Sequence, residues 1–204
     1  MPANFDPVAA WYRYLERLGF GGALWRRRVA YLPELRGARR VLMAGEGDGR
    51  FLRAFLDSNP YAAVTYVDAS ARMLALARRR AGGERVQYLQ RDLSVGEPLG
   101  GEFDAIVTHF LLDCFGQDEV TEVVRRLGRA PVWVVSEFQA PHWAARAVVS
   151  ALYAFFGWTT GLRVTRLPDY APALRAAGYV LAERQEAWGR LLVSELWRRR
   201  DKVE

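Results

Sequence analysis

The most informative stretch of the chain reads Val41-Leu42-Met43-Ala44-Gly45-Glu46-Gly47-Asp48-Gly49-Arg50-Phe51-Leu52. Its apolar beginning predicts a strand, its three alternating glycines predict a tight turn, and its end predicts a helix. Because glycine has no Cβ, such a turn lets the backbone pass close to a bound ligand. We therefore expect a ligand at this turn, although an ordinary glycine-rich connection would give the same pattern.

The spacing of these glycines argues against two common nucleotide sites. A dinucleotide fingerprint reads G-x-G-x-x-G, with glycine or alanine where this chain has Arg50. A phosphate-binding loop would end in G-K-[ST], which is absent from the turn. The ligand is therefore expected to be neither a typical dinucleotide nor a nucleoside triphosphate.

On both sides of this turn, short apolar runs alternate with amphipathic stretches, which is typical of βαβ units. Near the end, two consecutive runs joined at Trp188-Gly189 predict a hairpin. The expected fold is α/β, a doubly wound Rossmann-like sheet that is mostly parallel, with a C-terminal antiparallel hairpin strand, helices on both faces and an N-terminal helical cap. The predicted strands are Val41–Ala44, Val64–Val67, Val86–Leu89, Phe103–Thr108, Val132–Ser136, Tyr179–Ala187 and Arg190–Trp197. The predicted helices are Pro7–Leu18, Gly22–Leu32, Phe51–Leu56, Arg72–Arg80, Glu119–Leu127, Trp143–Trp158 and Tyr170–Ala177.

Composition narrows the class of protein. The chain has 204 residues, 51% of them hydrophobic, which suits one domain with a substantial core. Its formal charge is +6 and its basic residues are arginines apart from Lys202, but the arginine triplets are scattered, so we expect solvated faces and consider nucleic acid an unlikely partner. One cysteine and two histidines make a metal site improbable. No signal peptide or transmembrane run is evident, so a cytoplasmic location is expected.

Acidic residues follow two of the predicted strands. Asp68 comes directly after the second strand and Asp92 shortly after the third. Carboxyl ends of parallel strands share one edge, where open α/β sheets bind ligands, so both carboxylates should lie in one crevice beside the glycine turn. Asp68 is spaced to accept the two hydroxyls of a ribose, but it or Ser70 could equally be the N-cap of the next helix.

From Arg39 to Trp197 the sequence resembles the class I methyltransferases that use S-adenosylmethionine, and it is similar to small bacterial members grouped with ubiquinone/menaquinone-biosynthesis methyltransferases. The resemblance implies S-adenosylmethionine as cofactor, with S-adenosylhomocysteine as product. Family members mostly carry an acidic residue at the position of Met43, which leaves Glu46 as a candidate replacement. The cofactor-binding residues implied by the resemblance are Gly45, Glu46, Gly47 and Gly49 in the turn, Asp68 at the ribose, Ala69, Met73, Asp92 and Leu93 at the adenine, and Thr108 and His109 near the sulfonium.

This resemblance also divides the single domain, residues 1–204, into functional parts. They are a helical cap (1–37), a cofactor-binding core (38–140), an apolar helical cover (141–168) and a C-terminal helix with hairpin (169–204). The oligomeric state is left open by the sequence.

The sequence says less about the catalytic residues and the methyl acceptor than about the cofactor site. His109 would emerge from the fourth strand where cofactor and acceptor meet, which makes it a candidate general base, although a packed core histidine fits as well. The expected function is methyl transfer to a small, hydrophobic or aromatic acceptor; a nicotinamide-dependent oxidoreductase and a non-catalytic binding protein with this fold are the alternatives. The candidate acceptor-pocket residues are Tyr12, Tyr14, Phe110, Asp113, Glu137 and His142.

Overall fold

The computed structural model describes residues 20–200, which form a seven-stranded sheet with the strand order β3-β2-β1-β4-β5-β7-β6. The first five strands pair in parallel, whereas β7 is antiparallel to β5 and β6 is antiparallel to β7. The sheet is therefore mostly parallel with an antiparallel hairpin at one edge, which confirms the expected fold class. The strands are β1 (Arg40–Ala44), β2 (Ala63–Asp68), β3 (Val86–Gln90), β4 (Ala105–His109), β5 (Val132–Phe138), β6 (Tyr179–Ala187) and β7 (Leu192–Arg199).

Helices cover both faces of this sheet. One face packs against α2 and α3, and the other packs against α4 and α6, so the sheet separates two apolar cores. A short 3₁₀ turn, Leu112–Cys114, follows β4, and another lies at Pro33–Leu35. The helices are α1 (Ala23–Arg28), α2 (Arg50–Ser58), α3 (Ala71–Ala81), α4 (Gln117–Leu127), α5 (Trp143–Thr160) and α6 (Ala171–Ala176).

A third apolar cluster lies at the carboxyl edge of the sheet and involves α5. The buried face of α5, with Val149 and Tyr153, packs together with Leu24 of α1 and with Phe110, which follows β4. The opposite face is open to solvent, with Trp143 and Trp158 largely exposed. None of the helices between residues 20 and 200 is both long and apolar enough to cross a bilayer.

The fourth strand begins and ends later than its apolar pattern predicts. Asp104 accepts hydrogen bonds from the backbone N–H groups of Arg39 and Arg40, both at 2.8 Å, and so belongs to the connection that precedes the strand. At its other end β4 includes His109, one residue beyond Thr108. Because side chains alternate between faces along a strand, the His109 ring and the Thr108 side chain lie on opposite faces.

Predicted and observed helices differ most near the N-terminus. The predicted helix Gly22–Leu32 ends at Arg28, and the chain continues through turns into the 3₁₀ turn that begins at Pro33. The predicted helix Pro7–Leu18 lies outside the described residues.

The hairpin at the sheet edge is fixed by a buried acidic residue. Glu195 in β7 is 2% exposed and accepts hydrogen bonds from Arg184 (2.7 Å), Tyr170 (3.1 Å) and Trp197 (2.8 Å). These contacts join β6 and the start of α6 to the central sheet. The outer strand β6 is mostly exposed and has a register shift, a β-bulge, near Leu181.

Candidate functional site

A cavity of about 420 Å³ opens at the carboxyl edge of the sheet. It lies beside the ends of β1, β2 and β3 and is closed on the far side by the segments that follow β4 and α5. The cavity thus lies at the edge where open α/β sheets bind ligands. Of the residues predicted to bind the cofactor or the acceptor, those lining it are Gly45, Gly47, Asp68, Ala69, Met73, Asp92, Leu93 and Phe110.

The three glycines of the turn all have left-handed backbone conformations, with φ values of 66°, 68° and 79°. A Cβ built on Gly45 would lie 2.5 Å from a side-chain carbon of Leu111, and one built on Gly49 would lie 2.6 Å from Cα of Ala77 in α3. A Cβ on Gly47 would meet nothing within 4 Å. Gly49 therefore permits close helix packing and does not line the cavity, whereas Gly47 leaves room in it.

At the end of β2, the structure distinguishes the residue that caps α3 from the residue that faces the cavity. Ser70 is the N-cap of α3, because its hydroxyl accepts the N–H of Met73 at 3.0 Å. Asp68 faces the cavity, and its Oδ1 accepts the N–H of Ser70 at 2.8 Å. This bond orients the Asp68 carboxylate toward the space in front of the glycine turn.

The loop after β3 brings a second carboxylate to the same cavity. Asp92 Oδ1 accepts hydrogen bonds from the backbone N–H and the hydroxyl of Ser94, at 2.8 and 2.7 Å. Arg126 in α4 donates to the carbonyls of Leu93 and Ser94 at 3.1 and 2.8 Å, which fixes the loop against α4. Asp92 and Leu93 thus form one wall of the cavity.

Glu46 and His109 are fully buried and do not line the cavity. His109 Nδ1 lies 2.9 Å from Glu46 Oε1, and the imidazole packs edge-on against the ring of Phe51, with centroids 4.7 Å apart. The expectation that His109 emerges into the crevice is therefore wrong, because it is the last residue of β4 and points toward α2. Glu46 points the same way, so it does not offer its carboxylate to the cavity as the sequence suggested.

Thr108 also lies away from the cavity. Its side chain is on the opposite face of β4 from His109, where its hydroxyl accepts the indole N–H of Trp133 at 3.0 Å. Neither side chain at the end of this strand is placed beside a ligand in the cavity, contrary to the expectation that both approach the sulfonium.

The backbone leaves β4 through a strained residue. Phe110 has φ of 56°, which is uncommon for a residue with a side chain, and its N–H donates to the carbonyl of Ser136 at 2.7 Å. Glu137, at the end of β5 and 1% exposed, accepts the N–H groups of Leu111 and Leu112 through Oε1, at 3.1 and 2.7 Å. Glu137 thus satisfies the donors of the turn after β4 and does not line a cavity.

A second, smaller cavity of about 60 Å³ adjoins the first and shares Phe110, Cys114 and Leu162 with it. Asp113 is the acidic residue in an otherwise apolar wall. Burial raises the pKa of Asp113 to about 6, and burial together with the neighbouring Asp113 raises the pKa of Glu137 well above its usual range. The apolar members of this wall are Phe138, Val149, Leu152, Tyr153, Phe156 and Leu167.

His142 does not reach either cavity. It is the N-cap of α5, with Nδ1 accepting the N–H of Ala145 at 3.2 Å and Nε2 lying 2.8 Å from the carbonyl oxygen of Gly189. Tyr12 and Tyr14 lie outside the described residues. Within residues 20–200, there is no group of three or more His, Cys, Asp or Glu side chains that could hold a metal ion.

Sequence reasoning missed part of the cavity wall. The chain turns back after α5 at Gly161, which has a left-handed conformation, and places residues 162–164 against the cavity. A glycine that ends a long apolar helix is a signal for such a reversal, but it does not tell where the following residues will lie.

Comparison with known proteins gives concordant matches. Residues 41–130 match the family model of a methyltransferase domain. The chain is 33% identical over 155 residues to a demethylmenaquinone methyltransferase from Thermus thermophilus. This match covers 73% of this chain and 70% of that protein. Among solved structures, mitomycin 7-O-methyltransferase MmcR superposes with a TM-score of 0.69 at 20% identity, covering 96% of this chain and 58% of that longer chain.

A further solved structure is similar over nearly the full length of both chains. Magnesium protoporphyrin IX methyltransferase (ChlM) from Synechocystis PCC 6803, with bound S-adenosylhomocysteine, has a TM-score of 0.67 at 18% identity and covers 96% of this chain and 97% of its own. At such identities the structural matches show the fold alone.

Proposed function

The chain belongs to the class I methyltransferases that use S-adenosylmethionine, and from this we propose that it methylates a small acceptor with a hydrophobic or aromatic body. The observation that carries the proposal is the convergence of three strand ends on one cavity. The open side of the glycine turn at Gly47, the carboxylate of Asp68 and the carboxylate of Asp92 all line it.

These residues fit the cofactor. The cavity volume is within the range of small-molecule sites, and the empty space beside Gly47 would admit the methionine part. We propose that Asp68 accepts the ribose hydroxyls, that Asp92 and Leu93 contact the adenine edge, and that Ala69 and Met73 pack beside it. When bound, the cofactor supplies a methyl group on a positively charged sulfur, so the protein mainly aligns the acceptor and excludes water.

The acceptor is proposed to enter the smaller cavity. Its apolar wall, built from α5 and Phe110, suits a flat or hydrophobic molecule, and its junction with the larger cavity at Phe110 and Cys114 brings the two ligands together. The Thermus relative is named for demethylmenaquinone, a quinone, which supports an acceptor with a flat ring. No observation favours the oxidoreductase or the non-catalytic alternative.

For His109 we propose a supporting role beneath the turn in place of the proton transfer that its position in the sequence suggested. The ring is shielded from both cavities and lies against Glu46 and Phe51. It therefore helps to hold the turn in the conformation that leaves Gly47 open.

Calorimetry with S-adenosylmethionine, S-adenosylhomocysteine and NAD tests the cofactor assignment. We expect both adenosyl ligands to bind at one site per chain and NAD to bind far more weakly. Tight binding of NAD with no binding of either adenosyl ligand would overturn the proposal.

A further inference from the structure

Two neighbouring carboxyl groups lie beside the smaller cavity, and one of them, Asp113, lines it. Asp113 belongs to the 3₁₀ turn after β4, and Glu137 is the residue before the end of β5. Burial and the neighbouring Asp113 raise the pKa of Glu137, whereas burial raises the pKa of Asp113 and its interaction with Glu137 lowers it. Two such groups cannot both be charged at little cost, so the pair holds one proton over a wide pH range.

The two members of the pair have different surroundings. Glu137 is anchored, because its Oε1 accepts two backbone N–H groups and its side chain is 1% exposed. Asp113 is half-buried and lines the smaller cavity. The side of the pair that a ligand can reach is therefore Asp113.

The polar groups of Tyr153 and Cys114 beside Asp113 already have interaction partners. The Tyr153 hydroxyl donates to the backbone carbonyl of Asp113 at 2.9 Å, and Cys114 Sγ lies 3.5 Å from Asp113 Oδ1, with the pKa of this thiol raised by burial. Arg28, which lies over the ring of Phe110, is the nearby cation and favours the charged form of Asp113. Neither the phenol nor the thiol is poised to lose a proton near neutral pH.

We propose that Asp113 selects the acceptor and takes its proton, and that the acceptor accordingly carries a hydroxyl or amine on its flat apolar body. This inference rests on the proposed function, which it narrows to acceptors methylated at oxygen or nitrogen. Asp113 is the catalytic residue in this assignment, and Glu137 is a positioning residue that fixes the turn and tunes Asp113.

The reaction balances without any further reagent. The lone pair of the acceptor's oxygen or nitrogen forms the new bond to the methyl carbon, while the bond from that carbon to sulfur breaks and sulfur keeps the electron pair. The proton on the acceptor's heteroatom passes to the Asp113 carboxylate and from there to solvent through the open cavity.

Binding of three small aromatic probes to the protein tests this inference without turnover. Phenol, aniline and toluene have the same shape, but only the first two can donate a hydrogen bond. In protein saturated with S-adenosylhomocysteine, we expect phenol and aniline to bind about tenfold more tightly than toluene, since one hydrogen bond to a charged group contributes roughly 1.5 kcal/mol.

Variants assign this preference to a residue. In Asp113→Leu the preference should fall to within about twofold, whereas the exposed Asp118→Asn in α4 serves as a matched control and should keep it. Equal binding of the three probes to the native protein, no binding of any, or an unchanged preference in Asp113→Leu would overturn the inference. If S-adenosylhomocysteine itself fails to bind, the proposed function fails, and the same probes applied to the free protein still decide the role of Asp113.

The pH dependence of phenol binding tests the pairing with Glu137. Phenol should bind more tightly as the pH rises through about 6 and Asp113 becomes charged, and this dependence should vanish in Asp113→Asn. Glu137→Gln keeps an acceptor for the turn but takes away the carboxyl group whose interaction lowers the pKa of Asp113, so the midpoint should move to higher pH. A midpoint that does not move would show that Glu137 only supports the backbone.

Discussion

The glycine turn has two sides, and they face different surroundings. Beneath the turn, Gly49 lies against α3 and the buried Glu46 lies against His109; we call this the sealed side. Above it, Gly47 and Asp68 face the larger cavity, which we call the open side. Residues two positions apart therefore pack against a helix on one side and line the cavity on the other.

The comparison shows that the glycines of one motif can have different structural roles. At Gly49 the missing Cβ lets two helices approach, whereas at Gly47 it leaves space that a ligand can use. Substitutions on the sealed side should therefore change stability, and those on the open side should change ligand binding. The following experiments test this division.

Gly49→Val should have the largest effect. Its side chain would meet the backbone of Ala77 at a residue whose φ of 79° already disfavours valine. We expect the free energy of unfolding to fall by about 3 to 5 kcal/mol, as for severe overpacking combined with backbone strain. Chemical denaturation monitored by circular dichroism measures this loss of stability. If the variant were as stable as the native protein, the packing of Gly49 against α3 would not be what stabilises the sealed side.

Gly47→Val should instead retain most of the native stability but weaken the binding of S-adenosylhomocysteine. The added side chain points into the cavity, so affinity for S-adenosylhomocysteine should fall by about a hundredfold or more, which is roughly 2.7 kcal/mol. Strain at φ of 68° will cost some stability, and for this reason Gly47→Ala is the matched control. Calorimetry giving native affinity for the valine variant would show that the ligand lies elsewhere.

Asp68→Ala tests the carboxylate of the open side. Loss of the proposed hydrogen bonds to the ribose should weaken S-adenosylhomocysteine binding by about 1 to 3 kcal/mol. Ser70 still caps α3, so the melting temperature should change little. Asp57→Ala, at an exposed carboxylate in α2, is the control and should bind normally. A large fall in stability with unchanged affinity would assign Asp68 to the fold instead.

His109→Gln tests the sealed side by a milder change. Glutamine can still donate a hydrogen bond to Glu46, so we expect a loss of about 1 kcal/mol in stability, with turnover changed less than about threefold. The thermal midpoint and the rate of methyl transfer should be measured together. A hundredfold slower enzyme of native stability would restore His109 as the general base.

The pH dependence of stability gives the smallest effect and concerns the acidic pair beside the open side. The pKa of Asp113 in the folded protein is about 6, above its ordinary value of 3.8. Its contribution to stability is therefore present at acidic pH and is lost as the pH rises through about 6. Relative to Asp113→Asn, the unfolding free energy of the native protein should fall by on the order of 1 kcal/mol between pH 4 and 7. A parallel pH dependence in the two proteins would contradict the raised pKa of Asp113.

The open side could largely be predicted from the sequence, because it is built from strand ends. The glycine turn and the aspartates after β2 and β3 lie at one sheet edge as a result of parallel pairing, which apolar periodicity reveals. The fold class followed from the same pattern.

Both acidic residues were candidates from the sequence, but the sealed side and the proximity of Asp113 to Glu137 could not be predicted, since they depend on contacts between distant segments. Asp104 accepts backbone N–H groups at the start of β1 and precedes β4, and His109 at the end of β4 packs against Glu46 and Phe51. Glu137 contacts backbone groups 26 residues earlier in the chain, and no local pattern reports such a contact.

The bulged outer strand β6 bears on how copies of this protein meet. A sheet edge with free N–H and C=O groups can recruit a strand from another molecule, and long, flat, apolar edges aggregate in this way. Here the edge is bent near Leu181 and carries Glu183, Arg184 and Glu186, whose charges an added strand would have to desolvate. Crowded conditions should therefore not drive this sheet to polymerise through β6.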